Sequence, residues 1–99
     1  MLRAFLAVAE EGSVSAAAEQ LGYSQPGLSH RIQTLERELG AVLFRRRGNG
    51  MTLTREGQLL LPYARMTMAM MRDVNQAIAE FRELRNATRP PPERKEIRD

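Results

Sequence analysis

Residues 13–40 read SVSAAAEQLGYSQPGLSHRIQTLERELG, and the fold follows from how this stretch is parsed. Ser15 is placed to cap a short helix, because Ala16, Ala17 and Ala18 follow it with the highest intrinsic helix propensity. Leu21-Gly22-Tyr23 ends that helix, since Gly22 accepts the left-handed backbone of a helix terminus. Ser24 caps a second, longer helix, with Pro26 in the first turn, where a missing N–H is harmless. Leu28, Ile32, Leu35 and Leu39 then recur at spacings of four, three and four, one apolar stripe of an α-helix. At 100° per residue the opposite face carries Pro26, Gly27, His30, Gln33, Thr34 and Arg37. It is polar and free of acids, with Glu36 and Glu38 at its margins. Two helices joined by a tight turn, the second with such a face, form the helix-turn-helix pattern that lays a recognition helix in the DNA major groove.

The flanking segments extend this unit. Leu2, Phe5, Leu6 and Ala9 share one helical face, so residues 2–11 read as a first helix, ended by Gly12 and covering the pair. After Gly40, the runs Ala41-Val42-Leu43-Phe44 and Met51-Thr52-Leu53 flank RRRGNG, a β-hairpin signal. Beside three helices such a hairpin is a wing. Arg45, Arg46 and Arg47 lead to its tip at Gly48-Asn49-Gly50. Arginine is attracted to the negative potential of a narrow minor groove.

Thr54 can cap a fourth helix running to about Ala87. Tyr63, Thr67, Met70, Val74, Ala77, Phe81 and Leu84 alternate steps of four and three, a seven-residue repeat flanked by Leu60, Met71 and Ile78. A helix of about 33 residues extends about 50 Å at 1.5 Å per residue, and a body of 57 residues cannot cover that stripe alone. Its own copy is the economical partner. Pro62 breaks the hydrogen-bond ladder, so a bend is expected there. Met66, Met68, Met70 and Met71 read as adaptable packing and not as a metal site. The expected division is a winged helix-turn-helix domain over 1–57, a dimerising linker helix over 58–88 and a disordered charged tail over 89–99. The fold class is mainly α.

Charge and composition agree. Residues 1–23 hold Arg3 against Glu10, Glu11 and Glu19, a net of −2. Residues 24–57 hold Arg31, Arg37, Arg45, Arg46, Arg47 and Arg55 against Glu36, Glu38 and Glu56, a net of +3. The positive charge therefore falls where a phosphate backbone needs it. The 99 residues include no cysteine, so disulfide and thiolate chemistry are excluded. One histidine, no phosphate-binding Gly-rich loop and no metal-ligand spacing leave no catalytic constellation: the reading is a non-enzyme without cofactor or metal. No apolar run has transmembrane length and the N-terminus lacks a signal-peptide pattern, so a cytoplasmic, non-membrane protein is expected.

At this point the residues resemble a family. The ordered combination A-A-E-x-L, S-Q-P-x-L-S, I-x-x-L-E-x-E-L-G, L-F-x-R and L-T-x-x-G is similar to the N-terminal domain of LysR-type transcriptional regulators. LRAFLAVAEEGS and LLPYAR fit as well, and the resemblance covers about residues 1–85. It implies a sequence-specific regulator binding double-stranded DNA as a homodimer, with two recognition helices on an imperfect inverted repeat. The groove-facing positions it implies are Gln25, Pro26, Gly27, Ser29 and His30, with Gln33 or Thr34 deeper in the helix. It implies backbone and wing contacts by Ser24, Arg31, Arg45, Arg46, Arg47 and Asn49, where Arg46 matches the arginine of L-F-x-R. It implies a dimer interface on the last helix, over Tyr63, Met70, Val74, Ala77, Phe81 and Leu84.

Two departures stand out. Relatives commonly carry Arg where this chain has His30, which lacks the bidentate fork. Relatives also continue into an effector-binding domain with a periplasmic-binding-protein-like fold, expected to be absent here, so no small-molecule effector is assignable. Whether the sequence is a fragment or a naturally short protein stays open. An alternative function follows from the same features: a short dimerising partner that modulates a full-length regulator by heterodimer formation.

Overall fold

The computed structural model describes residues 1–88; the charged tail expected over 89–99 lies outside the described residues. In chain order the elements are α1 (Leu2–Glu11), α2 (Val14–Leu21), α3 (Gln25–Leu39), β1 (Phe44–Arg47), β2 (Gly50–Leu53) and α4 (Arg55–Thr88). The chain divides into two compact units, Met1–Met68 and a second starting at Ala69. The fold is mainly helical: three helices, a two-stranded antiparallel wing and a long last helix.

The first unit is built around α1. It packs on α2, α3 and β2, and its Phe5 and Val8 are fully buried together with Leu28 of α3 and Leu43. The rings of Phe5 and Phe44 lie 5.3 Å apart and tilted by 45°, which ties the wing to the helical core. Each such side chain, fully buried, contributes about 1.5–3 kcal/mol of transfer free energy. Ala64 is buried in the same core, with Leu60 and Leu61 against it, so the first turns of α4 belong to this unit.

Three expectations need correction. Ser13, not Ser15, caps α2: its backbone is extended and its Oγ accepts from Ala16 N–H at 3.1 Å. The helix therefore begins two residues earlier than a Ser15 cap implies, at Val14, and Ser15 lies inside it. Leu39 leaves the apolar stripe. Leu28, Ile32 and Leu35 are buried, whereas Leu39 is 51% exposed on the last turn of α3, where the chain turns away at Gly40. The arginines Arg45–Arg47 are strand residues, not a lead-in loop: Arg45 pairs with Thr52, Arg46 with Met51 and Arg47 with Gly50. Ala41 and Val42 precede the strand, and Val42 is exposed.

The link between α3 and the wing is held by polar groups. The carboxylate of Glu36 accepts from Leu43 N–H at 2.7 Å, so this acid is a structural acceptor and not a solvated charge. Thr54, buried, caps α4 as expected by accepting from Gly57 N–H at 3.0 Å. Its hydroxyl also donates to the Val42 carbonyl at 2.6 Å, and its own N–H donates to the Leu43 carbonyl at 2.9 Å. Gly57 is buried against this link, where a Cβ would run into the Leu43 carbonyl and the Leu53 side chain.

α4 passes through Pro62 as one helix of 34 residues. In the second unit every described side chain from Met70 to Ala87 is exposed. The methionines expected to pack do not do so within this chain: Met66, Met70 and Met71 are exposed and only Met68 is half-buried. An isolated helix offers its apolar face no surface to bury against.

Candidate nucleic-acid interface

The α2–α3 turn is three residues long, Gly22-Tyr23-Ser24. Gly22 has φ 77°, a conformation that costs an L side chain 1–2 kcal/mol by the order of magnitude of left-handed strain. Its N–H donates to the Glu19 carbonyl at 3.3 Å, and Tyr23 N–H donates to Ala18 at 2.9 Å, closing α2. Ser24 Oγ then accepts from Gly27 N–H at 3.0 Å and starts α3, with Pro26 in its first turn. A Cβ on Gly27 would come 2.9 Å from that Oγ, so a larger residue there would make the capping hydroxyl shift.

This turn sets α3 with one side on the core and the other in solvent. Ser24, Gln25, Pro26, His30, Arg31 and Gln33 are exposed; Gly27, Ser29 and Thr34 are half-buried. Several of these side chains are already engaged. Gln25 Nε2 donates to Ser15 Oγ on α2 at 3.2 Å. The Arg31 guanidinium lies 4.6 Å from the Tyr23 ring centroid, a cation–π arrangement. Thr34 Oγ1 donates back to the His30 carbonyl at 2.9 Å and accepts from an Arg37 guanidinium N–H at 3.2 Å.

The wing brings part of its charge to the same side. Ser29, Gln33, Phe44, Arg46 and Met51 line one cleft between α3 and the hairpin. Side chains alternate along a strand, so Arg46 shares the face of buried Phe44, and Arg45 and Arg47 take the other. Asn49 is exposed at the tip, which Gly48 turns with φ 51°. On α4, Tyr63, Met70, Val74, Ala77, Phe81 and Leu84 are all exposed.

The arrangement offers hydrogen-bond donors, acceptors and arginines on one exposed side; the one acid lining the cleft with them is Glu36, whose carboxylate accepts from Leu43 N–H. Ser15 and Tyr23 belong to this surface although the sequence did not single them out for it: Ser15 read as a cap, and Tyr23 joins through the Arg31 guanidinium. Among the described residues no group of three or more His, Asp or Glu side chains could hold a metal ion. No described helix is long and apolar enough to cross a membrane.

Residues 1–58 match the family model of the bacterial regulatory helix-turn-helix proteins, lysR family. The chain belongs to the LysR family. It is similar to the HTH-type transcriptional regulator ClcR of Pseudomonas putida, with 52% identity over 64 residues, 65% of this chain and 22% of that protein. It is also similar to the uncharacterized HTH-type transcriptional regulator YusT of Bacillus subtilis, with 45% identity over 82 residues, 83% of this chain and 28% of that protein. The chain therefore spans about a quarter of the length of these relatives. Among solved structures, the DNA-binding domain of CbnR in complex with DNA superposes with a TM-score of 0.64 at 39% identity, over 89% of this chain and 94% of that one. Residues 1–58 of this LysR-family chain are thus a DNA-binding winged helix-turn-helix.

Proposed function

We propose that this LysR-family chain binds double-stranded DNA as a homodimer on an inverted repeat and regulates transcription in the cytoplasm, where that DNA lies. The observation that carries the reading is the exposed polar side of α3, flanked by the wing arginine Arg46 across one cleft whose single acid, Glu36, is held by Leu43 N–H. In this reading the N-terminal turns of α3 enter the major groove. Gln25, Pro26, Gly27, Ser29 and His30 face base edges, with Gln33 and Thr34 deeper in the helix. Ser24 and Arg31 contact phosphates, and Arg45, Arg46, Arg47 and Asn49 follow the backbone and adjacent minor groove. Residues 1–57 form the reading domain and 58–88 the linker helix. Tyr63, Met70, Val74, Ala77, Phe81 and Leu84 supply the dimer interface, and their exposure in the single chain supports it.

The test is selection from a random duplex library by the purified chain, followed by affinity measured against salt. Enrichment of an inverted repeat is expected, with half-sites about one helical turn apart. Gln25→Ala should then cost about 1–3 kcal/mol at one base pair of each half-site. Arg46→Ala should weaken all sequences alike and lower the salt slope by about 1. A steep salt slope without any enriched sequence would reduce the activity to phosphate binding and overturn the proposal.

A further inference from the structure

Gln25 is the first residue of α3, and its side chain is not free. Its amide Nε2 donates to Ser15 Oγ, ten residues earlier on α2, at 3.2 Å, and both side chains are exposed. Ser15 is not needed as the cap of α2, since Ser13 takes that role. The hydroxyl of Ser15 is therefore available to a side chain of the neighbouring helix.

A glutamine amide carries two N–H donors and one carbonyl oxygen. With one N–H given to Ser15, the outward edge retains the second N–H and the carbonyl oxygen Oε1. That donor–acceptor pair matches adenine, whose N7 accepts and whose N6 amino group donates in the major groove. The reversed amide would present two donors, which suits a guanine edge instead. Holding the amide also removes rotamer freedom before DNA arrives, and binding then loses less entropy.

We infer that Ser15 is a positioning residue for base reading: its hydroxyl holds the Gln25 amide with a donor and an acceptor facing the groove, selecting adenine. The inference rests on the proposed placement of α3 in the major groove. Ser15 touches no base; it acts through Gln25.

The experiment uses the full chain and duplexes carrying every single base-pair change in the selected operator. Wild type, Ser15→Ala, Ser15→Thr, Gln25→Ala and the Ser15→Ala/Gln25→Ala double variant are compared, with thermal melts recorded for each. Gln25→Ala should flatten the preference for A·T at one base pair per half-site. Ser15→Ala should reduce the preference at that same base pair about threefold, the lower range for one exposed hydrogen bond. Ser15→Thr, which restores the hydroxyl, should recover it, and Ser15→Ala should add nothing in the Gln25→Ala background. If Gln25→Ala flattens a preference that Ser15→Ala leaves intact, the positioning role is wrong while the groove placement stands. A uniform loss on all duplexes for Ser15→Ala, with or without a lowered melting temperature, also overturns it, because the hydroxyl then serves the backbone or the fold. If Gln25→Ala changes no base preference, the placement of α3 fails and this inference fails with it.

Discussion

Phe5 and Phe81 are the same side chain in two different situations. Phe5 is fully buried in the first unit, while Phe81 is 63% exposed on the second. Met1–Met68 closes its own core: Phe5, Val8, Leu28 and Leu43 meet there, and Glu36 and Thr54 satisfy the backbone of the link between α3 and the wing. The described residues of the second unit carry apolar side chains too, and from Met70 to Ala87 all of them are exposed. Met70, Val74 and Phe81 recur along one helix face, at spacings of four and seven. The lesson is that one chain carries two kinds of apolar pattern. One is satisfied internally and fixes the reading head. The other is satisfied, in our proposal, by a second copy, and fixes how two reading heads are spaced.

The contrast can be broken most strongly at the phenylalanines themselves. Phe5→Ala should cost about 3–5 kcal/mol of unfolding free energy in chemical denaturation, and the loss should not depend on protein concentration. Phe81→Glu should leave the wing and α3 folded but shift the protein to monomers in sedimentation equilibrium, with stability becoming less dependent on concentration. If Phe81→Glu melts the first unit, the two patterns are not separate. A smaller effect is expected at Gly57, where the added methyl meets the Leu43 carbonyl and the Leu53 side chain. Gly57→Ala should lose about 1–3 kcal/mol, the range for overpacking, and the loss should appear in the first unit. The smallest effect sharpens the assignment of the two serines. Ser13→Ala should cost about 1 kcal/mol through the lost cap, whereas Ser15→Ala should leave the melting temperature unchanged.

Much of the first unit was legible because its signals are local. Gly12, Gly22 and Gly40 close three helices with left-handed backbone, and each stands where the apolar periodicity stops. Ser24 and Pro26 mark the start of α3 for the same reason. The exposed side of α3 was readable from 100° steps alone. What escaped depends on neighbours far along the chain. Ser13 and Ser15 are equally good caps by type; the choice fell to Ser13, whose backbone is extended while Val14 already continues the helix. Leu39 obeys the helical period but lies past the last element that could cover it, so periodicity overstates its burial. The role of Glu36, placed only at the margin of the polar face, was hidden because its partner, the Leu43 N–H, is seven residues away across a turn. The Ser15–Gln25 contact depends on the angle between two helices, which no spacing rule encodes.

In the proposed dimer, the last helix holds two identical reading heads at a fixed spacing. The direct measurement is the affinity of the purified chain for duplexes carrying one half-site, or two inverted half-sites whose centres are moved apart one base pair at a time. A sharp maximum is expected when the centres lie about 10 base pairs apart, or a multiple of that, with affinity for a single half-site far lower. Equal affinity for one half-site and for two at every spacing would contradict it.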